Sequence, residues 1–278
     1  MVNTMESETD EMTDLDYIST SGVYKTPFSL IILVQVFISS MIVILINLWF
    51  LNSLYFLLTG ERFIPSWPGG EWWYWFLLPL NIYGNIFLFF ALVMLVSAVI
   101  FRLLNWVYPV KEGIFEKGSK DWKYMHRRFW TAYFPIWCAR AIPFPWSDIF
   151  VYRMFGVKIG KSVVAYEGYI DPELIEIGDN SMTSLNVGIF SHLIYHDKVV
   201  IKKVKISKNC IVGPHTITTP GTIIEEGAVL GANSYTEPDQ VLEGNLIHIG
   251  TPATHALPIT TVEESRKKAK ERNSNNIE

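Results

Sequence analysis

The chain has 278 residues, half of them hydrophobic and 18% charged, with a formal net charge of −4. That apolar excess is too large for an ordinary soluble domain of this length. Two cysteines in separate regions, Cys138 and Cys210, exclude a disulfide framework, and the near-balanced charge points by itself to no partner.

Six of the first sixteen residues are Asp or Glu, and residues 1–26 read as a disordered acidic leader. Residues 27–101 hold two charge-free runs, Phe28 to Leu58 and Trp72 to Phe101. A bilayer core takes about 20 apolar residues in helical form, so each run is long enough to span it. The first run starts too late, is too long and lacks a basic leader, which argues against a cleaved signal peptide. Between them Pro65, Pro68, Gly69 and Gly70 turn the chain, and Trp67, Trp72, Trp73, Tyr74 and Trp75 suit the headgroup level. The connector carries one basic residue, Arg62, whereas the stretch after the second run carries Arg102, Lys111, Lys117, Lys120, Lys123, Arg127 and Arg128. The positive-inside rule then places the N-terminus and everything after the second span in the cytoplasm, a two-pass membrane protein. The polar residues within the spans, Asn47, Asn52, Asn81 and Asn85 among them, form no ionisable relay, which disfavours transport.

Residues 102–156 mix Lys and Arg with aromatic residues and read as helices lying in the inner membrane interface, or as a packing collar. Pro135, Pro143 and Pro145 are expected to break this segment into short pieces. Basic plus aromatic composition also suits nucleic acid, but its position directly after a membrane span argues against that partner.

After Gly156 the period changes to six. Counting from Ile159 reaches Ala165, Asp171, Ile177, Thr183 and Ile189, and counting back from Leu230 reaches Ile224, Thr218, Val212 and Ile206. Four places after the buried position the residues are small: Cys210, Thr216, Thr222, Ala228 and Ser234. This repeat predicts an all-β solenoid over 157–255, a left-handed parallel β-helix with three hexapeptides per coil, preceded by two transmembrane helices and the collar. Gly160, Gly178, Gly213 and Gly231 directly follow the buried position, where a positive dihedral or a tight approach is expected. The step from Ile189 to Ile206 is seventeen residues, so Phe190 to Lys205 reads as a loop leaving the coil, or else as a slip of one residue. The ruler fades after Thr236, and residues 256–278 read as a charged helical tail.

Three histidines fall in the solenoid or its loop: His192, His196 and His215. Histidine titrates near neutrality and can remove a proton from an attacking hydroxyl or amine. His192 stands where the ruler breaks, at a coil edge; a surface histidine would fit the same place. Asn186 could polarise a carbonyl or simply turn a corner, and Asp197 could orient a histidine or simply be solvated. Cys210 falls at a small inward position and reads as a buried hydrophobe.

The runs FGVKIGKSV, IDPELIEIGDNS, the Ser191-His192 pair, CIVGPHTITTPGTIIEEGAVLGANSYTEPD and the closing Gly250-Thr251-Pro252-Ala253 resemble the hexapeptide-repeat acyltransferases of the maltose, galactoside and colanic-acid acetyltransferase type. With the preceding spans, the chain is similar to the membrane-anchored C-terminal solenoid of polylysine-synthetase-type enzymes. The resemblance implies a homotrimer and an acyl-CoA, in particular acetyl-CoA, as co-substrate with no permanently bound cofactor and no metal. The acceptor would be a small molecule, glycan, lipid-linked group or peptide. Catalytic roles would fall to His192, Asn186 and Asp197, and CoA contacts to Thr219, Gly221, Gly231, Ala232 and Ser234. His215, where such enzymes often have Asn, and Ser207, in place of a corner glycine, depart from the pattern. Two alternatives stand beside this: a non-catalytic trimeric membrane scaffold, and a zinc enzyme of the gamma carbonic anhydrase kind using His192, His196 and His215.

Overall fold

The computed structural model describes residues 27–60, 72–142, 144, 146–259 and 264. The acidic leader, the connector, the charged tail from Thr261 to Arg272 apart from Glu264, Pro143, Pro145 and the side chains of Asn52 and the Trp72–Trp75 cluster lie outside the described residues. The chain divides into two compact units. One comprises residues up to Gly156 together with Ile194–Val199; the other comprises Val157–Leu193 and the residues from Val200 onward.

In the first unit, α1 (Phe28–Thr59) and α2 (Trp72–Val107) are long apolar helices. Phe28–Phe50 and Pro79–Val107 are long and apolar enough to cross a membrane, and only 11% and 28% of the residues of their most apolar windows are buried. Asn47 on α1 donates to Asn85 on α2, and Asn85 donates to Asn81. A short strand β1 (Gly113–Glu116) then leads to α3 (Lys120–Ala141), opened by a Ser119 cap whose hydroxyl accepts from the Trp122 amide at 3.1 Å. Helix α3 runs through Pro135 without ending, contrary to the expected break; the helix stops only before the Pro143-Phe144-Pro145 run, and α4 (Ser147–Met154) follows. Pairing with α1, α2 and α4 holds α3 together where an isolated helix would break at proline.

The second unit consists of short parallel strands in three sheets. The first is β2 (Lys158–Ile159), β5 (Ile175–Ile177), β10 (Val204–Ile206), β13 (Ile223–Ile224) and β15 (Val241–Leu242). A second sheet holds β3 (Val164–Ala165), β6 (Met182–Thr183), β11 (Ile211–Val212), β14 (Val229–Leu230) and β16 (Leu246–Ile249). The third holds β4 (Tyr169–Ile170), β7 (Gly188–Ile189) and β12 (Ile217–Thr218). Strand partners recur 18 residues apart, as in Val212↔Leu230 and Ile224↔Leu242, so the sixfold ruler is one side of a three-sided repeat.

Most inward residues are closed off by a turn three places later, in left-handed backbone conformation. Asn180, Asn186, Asn209, His215, Asn233, Asp239 and Asn245 occupy that place with φ between 55° and 63°. Asn and Asp tolerate it because their short side chains bond locally. The glycines after the aliphatic position answer the other expectation, close approach. A Cβ on Gly178 would lie 2.6 Å from the Ser207 carbonyl carbon, and one on Gly213 would lie 2.8 Å from the Ala232 amide. Inward threonines bond their hydroxyls within the stack: Thr216 donates to Gly213 O at 2.9 Å and Thr222 pairs with Thr236 at 2.7 Å.

Three details differ from the ruler. Ile170, and not Asp171, is the inward partner of Ile189, because the step from Ala165 to the next inward position is five residues and the step from there to Ile177 is seven. The repeat also continues past Thr236: Leu242 is fully buried and His248, 5% exposed, takes the next place with Nε2 2.9 Å from Glu243 O. A polar inward residue hid it from a count of aliphatics. Residues 256–258, expected in a helical tail, continue as β17 (His255–Pro258), antiparallel to β16.

The seventeen-residue step is a β-hairpin, β8 (His192–Tyr195) and β9 (Lys198–Ile201). Strand partners across it are 29 residues apart, as in Thr183↔Val212, and the coil resumes in register. The hairpin tip, Ile194–Val199, belongs to the first unit, where the Lys117 amide donates to Asp197 O at 2.6 Å.

Candidate active site

The site forms where the chain leaves the third sheet. The register Tyr169↔Gly188 and Ile170↔Ile189 carries Asp171 and Phe190 off the ends of neighbouring strands together, and the Asp171 amide donates to Ile189 O at 2.9 Å. The Asp171 carboxyl then points at the first residues of the hairpin. Its Oδ2 accepts from the Ser191 amide at 2.7 Å, the Ser191 hydroxyl at 3.2 Å and the His192 amide at 3.2 Å. The fourth partner is His192 Nδ1, at 2.7 Å. Asp171 Oδ1 is buried and has no hydrogen-bond partner among the described residues.

A carboxylate can only accept, so Nδ1 carries the ring proton and the lone pair of the neutral imidazole falls on Nε2. The side chain of His192 is 18% exposed and that of Asp171 2%. Burial is the largest influence on the imidazole and pulls its pKa down. The charge and hydrogen bond of Asp171, with the charge of Glu173, outweigh it, and the net shift is upward from the usual 6.5. Phe190 meets the His192 ring edge-on at 6.4 Å and stacks on Tyr169 at 5.6 Å, so an aromatic pair flanks the imidazole. Gly188 permits this: a Cβ there would come within 2.6 Å of the Phe190 ring.

Of the residues singled out by sequence, His192 stands in this cluster. Asn186 is an exposed turn residue with φ 55°, in the same conformation as the other corner asparagines. Asp197 is exposed in the hairpin turn, in the first unit; the carboxylate on His192 is Asp171. His196 is exposed at the same turn and His215 exposed at a corner with φ 57°. Thr219 is engaged with Thr236, its hydroxyl donating to Thr236 O at 2.8 Å. Gly221 sits at φ 84° against Asp239, and Gly231 lies under Ile249. Ser234 Oγ accepts from the Gly250 amide at 3.1 Å, and Ala232 is exposed. Cys210 is fully buried, with Sγ donating to Glu225 O at 3.1 Å, and burial raises its pKa.

Asp171 was the residue missed. The available signal was an acid at a position the ruler reserves for an aliphatic, since a carboxylate is not carried into such a place without donors to receive it.

No family model matches the chain. A candidate acetyltransferase of Bacillus subtilis, YvoF, is 29% identical over 141 residues, which are 49% of this chain and 81% of that protein. The delta-poly-L-ornithine synthetase of Acinetobacter baumannii is 24% identical over 130 residues, 46% of this chain but only 9% of that much longer protein. Among solved structures, a maltose O-acetyltransferase from Clostridium difficile aligns with a TM-score of 0.41 at 20% identity, covering 49% of this chain and 88% of its own. Over about half of its length the chain is similar to an acetyltransferase, and its own strands carry the sixfold repeat of the resemblance drawn from its motifs.

Proposed function

We propose that the chain is a membrane-tethered acyltransferase that moves an acyl group, acetyl in the simplest case, from a CoA thioester to a hydroxyl or amine. The observation that carries this reading is the contact between His192 Nδ1 and the buried Asp171 carboxylate. It fixes the tautomer that leaves Nε2 basic, and it stabilises the imidazolium formed when Nε2 takes the acceptor's proton. The acceptor oxygen or nitrogen then attacks the thioester carbonyl, and backbone amides hold the oxyanion. As the carbon–sulfur bond breaks, the thiolate of CoA takes the proton back from Nε2.

The side chains of Thr219 and Ser234 are committed to the stack and Gly221 carries none, so CoA contacts assigned to that strip run through backbone groups and Ala232. Acetyl-CoA titrated into the purified protein is expected to bind saturably, and binding is expected to shield Ala232→Cys from alkylation. A protein that binds no CoA thioester would overturn the reading in favour of a scaffold.

Helices α1 and α2 are assigned as the two spans. The basic residues after α2 put the N-terminus and the second unit on the cytoplasmic side. A homotrimer is supported by a stripe of aliphatics in register along the outside of the second sheet, with Val164 43%, Met182 39% and Ile211 44% exposed. Ile211→Asp is expected to convert the trimer to monomers in light scattering of the detergent-solubilised protein. A variant with unchanged mass would show that this face is not the seam.

A further inference from the structure

We infer that α3 and α4 form a re-entrant hairpin that dips into the hydrocarbon from the cytoplasmic side, with Phe144, Trp146 and Phe150 at its tip in contact with acyl chains. This rests on α1 and α2 spanning the bilayer. The hydrogen bond between Asn47 and Asn85 sets a common depth for the two helices. Asn47 lies nineteen residues from Phe28 and Asn85 sixteen from Phe101. At about 1.5 Å per residue these are about 28 and 24 Å, so Phe28 and Phe101 stand near the same surface of a core about 30 Å thick.

Helix α3 can be followed down this scale. Arg128 donates to Tyr108 O at 3.0 Å, beyond Phe101 on the cytoplasmic side. Trp130 stacks on Phe28 at 4.8 Å, at the surface. Gln35, seven residues inside α1, donates to Thr131 O at 2.8 Å. Past the end of α3, Phe144 stacks on Phe87 at 6.1 Å. Phe87 is fourteen residues from Phe101, a depth of about 21 Å. Helix α4 then returns, and Phe155 meets Phe101 edge-on at 5.0 Å. The chain enters and leaves on one side.

The composition of the hairpin fits that solvent. Trp137 is 57% exposed, Phe144 46%, Trp146 60% and Phe150 51%, a set of large rings that water would not favour. Three charged residues occur between Phe129 and Phe155. Asp148 is buried, Arg140 donates to the Tyr152 hydroxyl at 2.9 Å, toward the Phe155 end of α4, and the exposed Arg153 stands two residues before Phe155, at the cytoplasmic end. An irregular turn at membrane depth must satisfy its own backbone. Pro143 and Pro145 bring no N–H groups to satisfy. The amides of Ile142 and Ser147 donate to Ala139 O and Phe144 O, and the Ser147 hydroxyl lies 2.8 and 2.7 Å from the same two carbonyls. An interfacial helix lying flat on the headgroups would not reach Phe87.

Site-directed spin labelling of the full chain in phosphatidylcholine vesicles tests this. Cys138 and Cys210 are both fully buried and can be left in place. Single variants Trp146→Cys and Phe150→Cys report the turn, Leu45→Cys the α1 span and Lys123→Cys the cytoplasmic side. Relative to Lys123→Cys, the labels at 146 and 150 are expected to gain about tenfold in the ratio of collision with dissolved oxygen to collision with a water-soluble nickel chelate, as Leu45→Cys does. Turn labels that read like Lys123→Cys while Leu45→Cys reads as lipid would overturn the hairpin alone. Turn labels shielded from both reagents would overturn the lipid contact and assign the face to a protein surface. A water-exposed Leu45→Cys would instead overturn the spanning helices themselves.

Discussion

His192→Ala is expected to lower acyl transfer by about 10²- to 10⁴-fold, the range for loss of a positioned general base, while leaving the fold intact. The imidazole is partly exposed at the exit of a coil and takes no part in the inward stack, so removing it leaves no core cavity. The companion change, Asp171→Asn, separates this chemistry from simple packing. It keeps shape and burial but removes the charge that outweighs desolvation, so the His192 pKa should fall from above the ordinary histidine value to below it. The neutral imidazole is the active form, and the acid limb of the kcat/KM profile should therefore move to lower pH. The rate on the plateau should nevertheless drop by about 10²-fold or more, because an amide does not hold the tautomer or stabilise the imidazolium as a carboxylate does. Stability takes the opposite sign. A histidine whose folded pKa is raised contributes stability fully present below its unfolded value and lost as pH rises through the folded one, so the wild type should lose stability relative to Asp171→Asn across that window. An unshifted acid limb in Asp171→Asn would remove Asp171 from the mechanism, and full activity in His192→Ala would remove the mechanism.

The repeat was legible because a solenoid side admits one inward residue every six, and a run such as Ile206, Val212, Thr218, Ile224 and Leu230 has no helical explanation. The ruler failed where the coil itself is irregular. Between Ala165 and Ile177 the inward residue is Ile170, and the displaced count landed on Asp171, treating the hydrogen-bond partner of His192 as a core position. The hairpin announced itself only as a broken register. Its strands lack the turn chemistry of a two-residue loop, and Asp197, next to His196, offered a carboxylate that could orient a histidine or simply be solvated, although it belongs to the other unit. Sequence proximity does not find the carboxylate that bonds His192, because strand register, which places residue 171 beside 191, is non-local. Pro135 misled for the converse reason: the proline rule is local, and α3 is held by what packs around it.

The largest stability effect is expected from a pair of adjacent isoleucines on β13. Ile224 is fully buried between Ile206 and Leu242 on the neighbouring coils, whereas Ile223, one residue earlier, points outward and is 38% exposed. Ile224→Ala should cost about 2–5 kcal/mol, the lost transfer energy of the side chain plus a cavity that the rigid three-sided coil cannot collapse. Ile223→Ala removes the same atoms from the opposite face and should cost well under about 1.5 kcal/mol, the range for a half-exposed aliphatic. Because each coil is stabilised only by its neighbours, damage at Ile224 should spread to the coils on either side before the rest of the unit, visible as faster amide exchange at Val204–Ile206 and Val241–Leu242. Thermal unfolding of the two variants side by side measures the difference. Equal losses would mean that the outer surface of the first sheet is covered in the assembled protein, which would put Ile223, and not the proposed Ile211 stripe alone, at a subunit seam.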